Sequence, residues 1–398
     1  MTEGMPIGSR MAGALSVGGI REIMARAEAL ERSGRHVIHL EIGRPDYDSP
    51  PCAKRAAARA LEEGRVHYTE NAGIPELRRA IAEDRNRRYG TGVTGDEIVV
   101  TAGATEALAT AFLTLLDPGD EVIVPTPFFP AYSLQAALAG GVVRELPCRF
   151  EEGFRPSAAA LEAAVTPRTK VLLLNSPNNP SGTVLNRSEL EAVADVARRH
   201  DLWVLSDECY ERFLYEGEPL TVSALPDMAR RTVVVSAASK TFSMTGWRVG
   251  WLVLPPEVRP YMNKCHQHLT SCAASFAQFG VAEALRSAEE DVRRMIEGYR
   301  ERRDVFADGL GRVEGVDLHV PQGAFYVLLH VGRLTRAWGL TAAELAGWLL
   351  EEAGVASVPG EPFRAPGDFL RMAFCRPADE LREAARRIEG AVRSRGGL

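Results

Sequence analysis

Hydrophobic positions along this chain follow two periods. Four short apolar runs, Ile98-Val99-Val100, Val171-Leu172-Leu173-Leu174, Leu202-Trp203-Val204-Leu205 and Val233-Val234-Val235, each stop at small or polar residues and read as strands buried on both faces. Helix-like stretches separate them, so strand and helix alternate from residue 97 to about 254, the pattern of a parallel sheet covered on both sides. Helical patterns also cover 19–33 and 51–63, and a long one runs from about 273 to 310 with Arg and Glu on its outer positions. Strands near 324–330, 355–358 and 369–372, with helices near 341–353 and 378–393, read as a smaller α+β unit. Repeats and low-complexity linkers are absent.

Length and charge narrow the picture. A chain of 398 residues that is 45% apolar exceeds a usual single core; at this size about 75% of the unfolded surface is buried, so two domains are expected. The net charge of −6 argues against nucleic acid as a partner. Arginine clusters at 85–88 and 300–303 are mixed with acids and read as solvated helix faces. With no run of about 18 apolar residues, and no basic leader in Met1-Thr2-Glu3-Gly4, a cytoplasmic protein without a membrane partner is expected. The six cysteines form no C-x-x-C pair, and His266 and His268, two apart on a helix, point to different faces, so reduced thiols and no metal site are expected. Gly90-Thr91-Gly92-Val93-Thr94-Gly95 spells the dinucleotide fingerprint, yet it follows a helix and precedes a strand, the reverse of the required order.

The chemistry-bearing residues cluster at strand ends. Only four lysines (Lys54, Lys170, Lys240, Lys264) stand against 43 arginines. Lys240 follows the run ending at Val235, among Ser236, Ala237, Ala238 and Ser239, where an amine can form an imine with a carbonyl cofactor and a permanently protonated guanidinium cannot. Asn178-Asn179-Pro180-Ser181-Gly182 ends one apolar run, and Asp207 with Tyr210 ends the next; in open α/β folds such strand ends form the ligand edge. In Val99-Val100-Thr101-Ala102-Gly103-Ala104-Thr105, Gly103 lets backbone approach an anion, and Thr105 serves as helix cap or as phosphate ligand. Arg371 is either a fork for a carboxylate or a strand arginine in a surface ion pair.

This order of residues closely resembles the fold type I pyridoxal-phosphate enzymes, and within them the class I/II aminotransferases, the aspartate aminotransferase family, over nearly the whole chain from Gly43 to Arg371. The resemblance implies an α/β fold with a large domain, built on a mostly parallel seven-stranded sheet covered by helices, plus a smaller α+β domain. The expected division is 1–47 and 291–398 for the small domain and 48–290 for the large one. It implies pyridoxal 5'-phosphate bound to Lys240 as an imine, Asp207 at the ring nitrogen, Asn179 and Tyr210 at the ring hydroxyl, and Phe129 stacked on the ring. The phosphate falls to Arg248, Gly103, Ala104, Thr105 and Ser239, and to Tyr68 of a neighbouring subunit in a homodimer with shared sites. Gly43, Asn179 and Arg371 are expected to bind the substrate carboxylate.

Two positions depart from the family pattern. Arg44 stands where many relatives have an acid, and Ala237 where many have a phosphate-binding hydroxyl, for which Ser236 or Ser239 is the expected substitute. Ile20, Phe129, Arg44 and Phe363 are candidate pocket residues. The implied activity is amino-group transfer between an L-amino acid and a 2-oxo acid. A lyase or γ-replacement reaction is the alternative on the same constellation, and a non-enzymatic sensor is disfavoured by the presence together of Lys240, Asp207 and Arg371.

Overall fold

The computed structural model describes residues 19–365 and 367–397. The apolar runs form strands because each is flanked by turn formers and enriched in β-branched or Leu side chains. In chain order the strands are β1 (Ile38–His39), β2 (Ile98–Thr101), β3 (Glu121–Pro125), β4 (Val142–Leu146), β5 (Thr169–Asn175), β6 (Trp203–Asp207) and β7 (Thr232–Ala237). They continue with β8 (Gly250–Val253), β9 (Asp317–Leu318), β10 (Tyr326–His330), β11 (Val355–Ala356), β12 (Val358–Pro359) and β13 (Phe369–Ala373).

Seven of them make one sheet in the order β2-β8-β7-β6-β5-β3-β4, with β8 antiparallel to both neighbours and the remaining pairings parallel. Val171 to Leu174, Val204, Leu205 and Val233 to Val235 are buried, as strands covered on both faces must be; each such side chain contributes about 1.5–3 kcal/mol relative to exposure. A second sheet, β12-β13-β10-β9, is antiparallel, and β1 pairs in parallel with β11 through Ile38↔Val355 and His39↔Ala356. The Ala373 amide donates to the Leu40 carbonyl at 2.7 Å, so the segment after β1 is tied to the C-terminal sheet. Among the described residues no helix is long and apolar enough to cross a membrane.

Three expectations are corrected. The single long helix is two, Ser275–Ser287 and Glu289–Gly311. Glu289, Glu290 and Asp291 occupy the first turn of the second, where negative charge complements the helix dipole and favours a fresh start after Ala288. The strand at 355–358 is also two, in different sheets. The arginine clusters are not solvated faces throughout. Arg85 is buried and pairs with Glu208 at 2.9 Å, Arg88 meets Glu211 at 2.8 Å, and Arg303 is buried against Glu216. Arg88 also meets Asp84 and Arg303 also meets Asp304 on their own helices, but Glu208, Glu211 and Glu216 come from distant segments, which a pattern of neighbours along one helix could not reveal.

Candidate active site

Parallel register puts the ends of three strands at one edge. Asn175 of β5 is level with Asp207 of β6, and Asp207 with Val235 of β7. The turn after β7 is one short helix, Ala238–Thr241, which carries Lys240. These ends and the segment after β1 surround a cavity of 310 Å³ whose lining includes Lys240, Asp207, Asn179, Tyr210, Arg248 and Arg371. A wider groove of 720 Å³, with Arg35, Trp348 and Arg395 on its walls, lies elsewhere and brings together no nucleophile with a buried acid. Chemistry, not size, distinguishes the two.

Lys240 reaches across the cavity and donates from Nζ to the Gly43 carbonyl at 2.8 Å. Burial lowers its pKa from the usual lysine value, and nearby Arg371 and Arg248 act in the same direction against the thiols of Cys375 and Cys209. Asp207 is buried, with no cation among the described residues bonded to it: Oδ2 accepts from the Tyr132 hydroxyl at 2.6 Å and Oδ1 from the Cys209 amide at 3.1 Å. Burial raises its pKa, while the hydrogen bonds from Tyr132 and Cys209 oppose that rise. A carboxylate so placed favours a cationic neighbour. The side chain of Asn175 braces the edge, donating to the Asp207 carbonyl at 3.0 Å and accepting from the Asn179 amide at 2.8 Å.

Arg371 is 2% exposed and pairs with no carboxylate among the described residues, so the surface ion pair is overturned. Among the described residues its guanidinium meets only neutral acceptors, Asn179 Oδ1 at 3.4 Å and the Glu41 carbonyl, and its Nε finds no partner. Leaving a fork of donors buried and underused is unfavourable unless an anion completes it.

The turn after β2 supplies the anion end. The helix Ala104–Leu115 begins directly after Gly103, whose φ of 92° is open to glycine and strained for other residues. A Cβ there would come within 2.4 Å of Arg248 Nη2, so glycine lets the guanidinium lie against the turn. Arg248 donates to the carbonyls of Thr245 (3.0 Å) and Ala102 (3.2 Å), which aims it at the helix start. Thr105 is inside the first turn and is not its cap; Gly103 takes that place, leaving the Thr105 hydroxyl on the cavity wall.

Gly43, Ala104, Thr105, Phe129, Asn179, Asp207, Tyr210, Ser239, Lys240, Arg248 and Arg371 therefore all line one cavity, and Gly103 lies behind Arg248. Tyr68 does not; it is 90% exposed. Ser236 is turned away, donating to Glu211 at 3.1 Å, so of the two serines only Ser239 can replace the hydroxyl missing at Ala237. Arg44 is exposed outside the lining, and Phe363 packs beneath Arg371 instead of facing the cavity. The Ile20 side chain lies outside the described residues. Sequence reasoning missed Tyr132, Tyr326, Met24 and Thr245. Only Tyr132 left a signal, three residues after Phe129, whose ring it meets edge-on at 5.8 Å.

The profile of the family described as aminotransferase class I and II matches residues 35–388. An aspartate/prephenate aminotransferase of Thermus thermophilus is 42% identical over 369 residues, 92% of this chain and 94% of that protein. An aspartate aminotransferase of Pyrococcus horikoshii is 38% identical over 94% of each chain. Among solved structures, the aspartate aminotransferase of Thermus thermophilus with maleate superposes with a TM-score of 0.92 at 40% identity, covering 97% of this chain and 100% of that one.

Proposed function

The chain belongs to the aminotransferase class I and II family and is an aminotransferase, and from that premise we propose which of its residues hold the cofactor and substrate. The cofactor the family implies, pyridoxal 5'-phosphate, fits the donors present: a desolvated amine, a buried acid without a cation, an aromatic wall at Phe129, and a helix start backed by Arg248. Gly103, where any Cβ would collide with Arg248, lets that guanidinium lie against the helix start, beside the amides that a phosphate would meet. Lys240 would hold its aldehyde, Asp207 its ring nitrogen, Tyr210 and Asn179 its ring oxygen. Arg248, Ser239, Thr105 and the amides of Ala104 and Thr105 would hold its phosphate. When bound, this cofactor accepts the electrons of a broken Cα bond into its ring.

The chain's own groups then do the following. Arg371 grips the substrate carboxylate through its fork, with Asn179 beside it, and fixes the orientation of Cα. Lys240, its basicity reduced by burial, would be the base that takes the proton from the substrate Cα and the acid that delivers it to the cofactor's former aldehyde carbon. Asp207 would supply the negative charge that keeps a proton on the cofactor's ring nitrogen. The substrates are an L-amino acid and a 2-oxo acid. The three cations of the lining, Lys240, Arg248 and Arg371, are all used in this assignment, which leaves Met24 and Ile42 among the apolar lining for the substrate side chain.

A second copy of the chain completes the reading. The segment 65–71 runs beside 271–275, joined by Ser275 Oγ to the Arg65 carbonyl (2.8 Å) and Asn71 Nδ2 to the Ser271 carbonyl (2.7 Å). Val66, Tyr68, Leu269 and Phe276 are exposed there, an apolar surface suited to a homodimer contact that would carry Tyr68 to the other site. The pairing of β1 with β11 supports the division into 1–47 with 291–398 and 48–290. Six unpaired cysteines support a reducing compartment, and we place the protein in the cytoplasm.

The observation that carries the proposal is the buried Lys240 amine sharing one cavity with Asp207 and Arg371. Lys240→Ala should remove the visible absorbance of the resting holoenzyme and lower turnover by at least about 10²–10⁴-fold, the share due to proton transfer. A panel of amino acids, mixed singly with holoenzyme, tests the reaction type: conversion of the bound cofactor to its amine form supports transfer, and ammonia release supports elimination. Turnover that survives in Lys240→Ala sinks the assignment.

A further inference from the structure

Tyr326 links two parts of the site that the assignment above, on which this inference rests, treats separately. On β10 it is paired with Ala373 of β13, while Arg371 lies two residues away along the same strand. Side chains two apart share a face, so the Tyr326 ring and the Arg371 guanidinium rise together from the sheet. The guanidinium carbon is 4.7 Å from the centre of the Tyr326 ring and also 4.7 Å from that of Phe363. Two aromatic faces hold a cation in one plane without neutralising it, which leaves its outer donors for an anion.

The hydroxyl of Tyr326 does a different job. It lies 2.9 Å from the Tyr210 hydroxyl. Space for it is reserved across the cavity, because a Cβ at Gly43 would fall 1.8 Å from this oxygen. Two phenols sharing one hydrogen bond need a direction. Burial raises the pKa of both phenols, and Arg371 opposes the rise at Tyr326. The ring oxygen assigned to Tyr210 is an acceptor and can take only the Tyr210 hydrogen, so Tyr210 is left to accept from Tyr326. The hydrogen of Tyr210 is thereby turned outward, towards an acceptor in the cavity.

We propose that Tyr326 is a positioning residue with two separable ends: its hydroxyl aims the Tyr210 hydrogen at the cofactor's ring oxygen, and its ring face aims Arg371 at the substrate carboxylate. A donor held on the ring oxygen stabilises negative charge there. That charge is least shared when the nitrogen joining Lys240 to the cofactor is unprotonated, so a firmer donor lowers the pH at which this nitrogen loses its proton.

Two holoenzyme variants separate the ends. Tyr326→Phe keeps the ring and its volume, and Tyr326→Leu removes both functions. The first readout is the pH titration of visible absorbance without substrate; the second is KM and kcat of the half-reaction with an amino acid. In Tyr326→Phe the titration midpoint should rise by about half a unit to one unit, the worth of one hydrogen bond, with KM within about twofold of wild type. In Tyr326→Leu the midpoint should rise equally and KM should climb roughly three- to thirtyfold. A Tyr326→Phe titration that overlays wild type overturns the hydroxyl role, and a Tyr326→Leu KM equal to that of Tyr326→Phe overturns the ring role. Wild-type absorbance that persists in Lys240→Ala marks instead the failure of the underlying cofactor assignment, and this inference falls with it.

Discussion

Asp207 and Tyr132 show how a single contact sets the chemistry of the site. The short hydrogen bond from Tyr132, at 2.6 Å, is the main influence holding the buried carboxylate towards its charged form against desolvation. Tyr132→Phe removes that donor at constant shape. A hydrogen bond to a charged group contributes about 1.5–3 kcal/mol, so affinity for pyridoxal phosphate should fall roughly 10–100-fold, measured by equilibrium dialysis. Unchanged affinity would mean that the anion at Asp207 is not what holds the ring. Gly103→Ala tests the other end of the cavity. Its φ of 92° and the 2.4 Å approach to Arg248 leave no relaxed place for a methyl, so cofactor affinity should drop while secondary structure by circular dichroism stays intact. Of these residues, Lys240 and Asp207 are legible from sequence because each ends an apolar run. Tyr326 left no signal, and Tyr132 none beyond its place three residues after Phe129, because their partners are 116 and 75 residues away along the chain.

At the scale of elements, the helix Pro75–Tyr89 is fixed to the turn after β6 by charge. Arg85 meets Glu208, which also accepts from Thr221 at 2.6 Å and Ser206 at 2.9 Å; Arg88 and the Tyr89 hydroxyl meet Glu211. This turn begins at Asp207 and contains Tyr210, so the network braces the cofactor edge from behind. Arg85→Met leaves Glu208 buried without its cation and should destabilise the fold by about 3–5 kcal/mol in urea denaturation. Arg293→Ala, which breaks the exposed pair with Glu290, should change it by under about 1 kcal/mol. Equal effects would refute the distinction. The pH dependence follows in sign. Burial alone would raise Glu211, but Arg88 and Arg85 outweigh it and lower its pKa from the ordinary 4.5. Its contribution is present above that value and lost as pH falls below 4.5 through the lowered folded pKa, so the Arg85→Met penalty should shrink on acidification across that window.

For the whole molecule, the question is whether one chain suffices. Tyr68, 90% exposed and outside the cavity of its own chain, gives a direct test. Tyr68→Ala and Lys240→Ala should each be nearly inactive alone. Refolded together, they should regain activity, because a hybrid dimer contains one site with both Lys240 and Tyr68 intact. Absence of rescue, with dimers present by sedimentation, would remove Tyr68 from the shared site.

The sequence by itself determined the alternation of strand and helix and the strand ends that bear Lys240, Asp207, Asn179 and Gly103, since burial on both faces forces continuous apolar runs and their ends must change composition. It also carried Arg371, though not whether that arginine meets solvent or substrate. Folding in three dimensions settled that Arg371 is buried between aromatic rings, that Arg85 and Arg88 face inward, and that Tyr326 bridges the two halves of the site. Those outcomes depend on sheet pairing and on charges supplied from remote segments, and periodicity along a chain records which face is apolar, not which distant side chain will meet it.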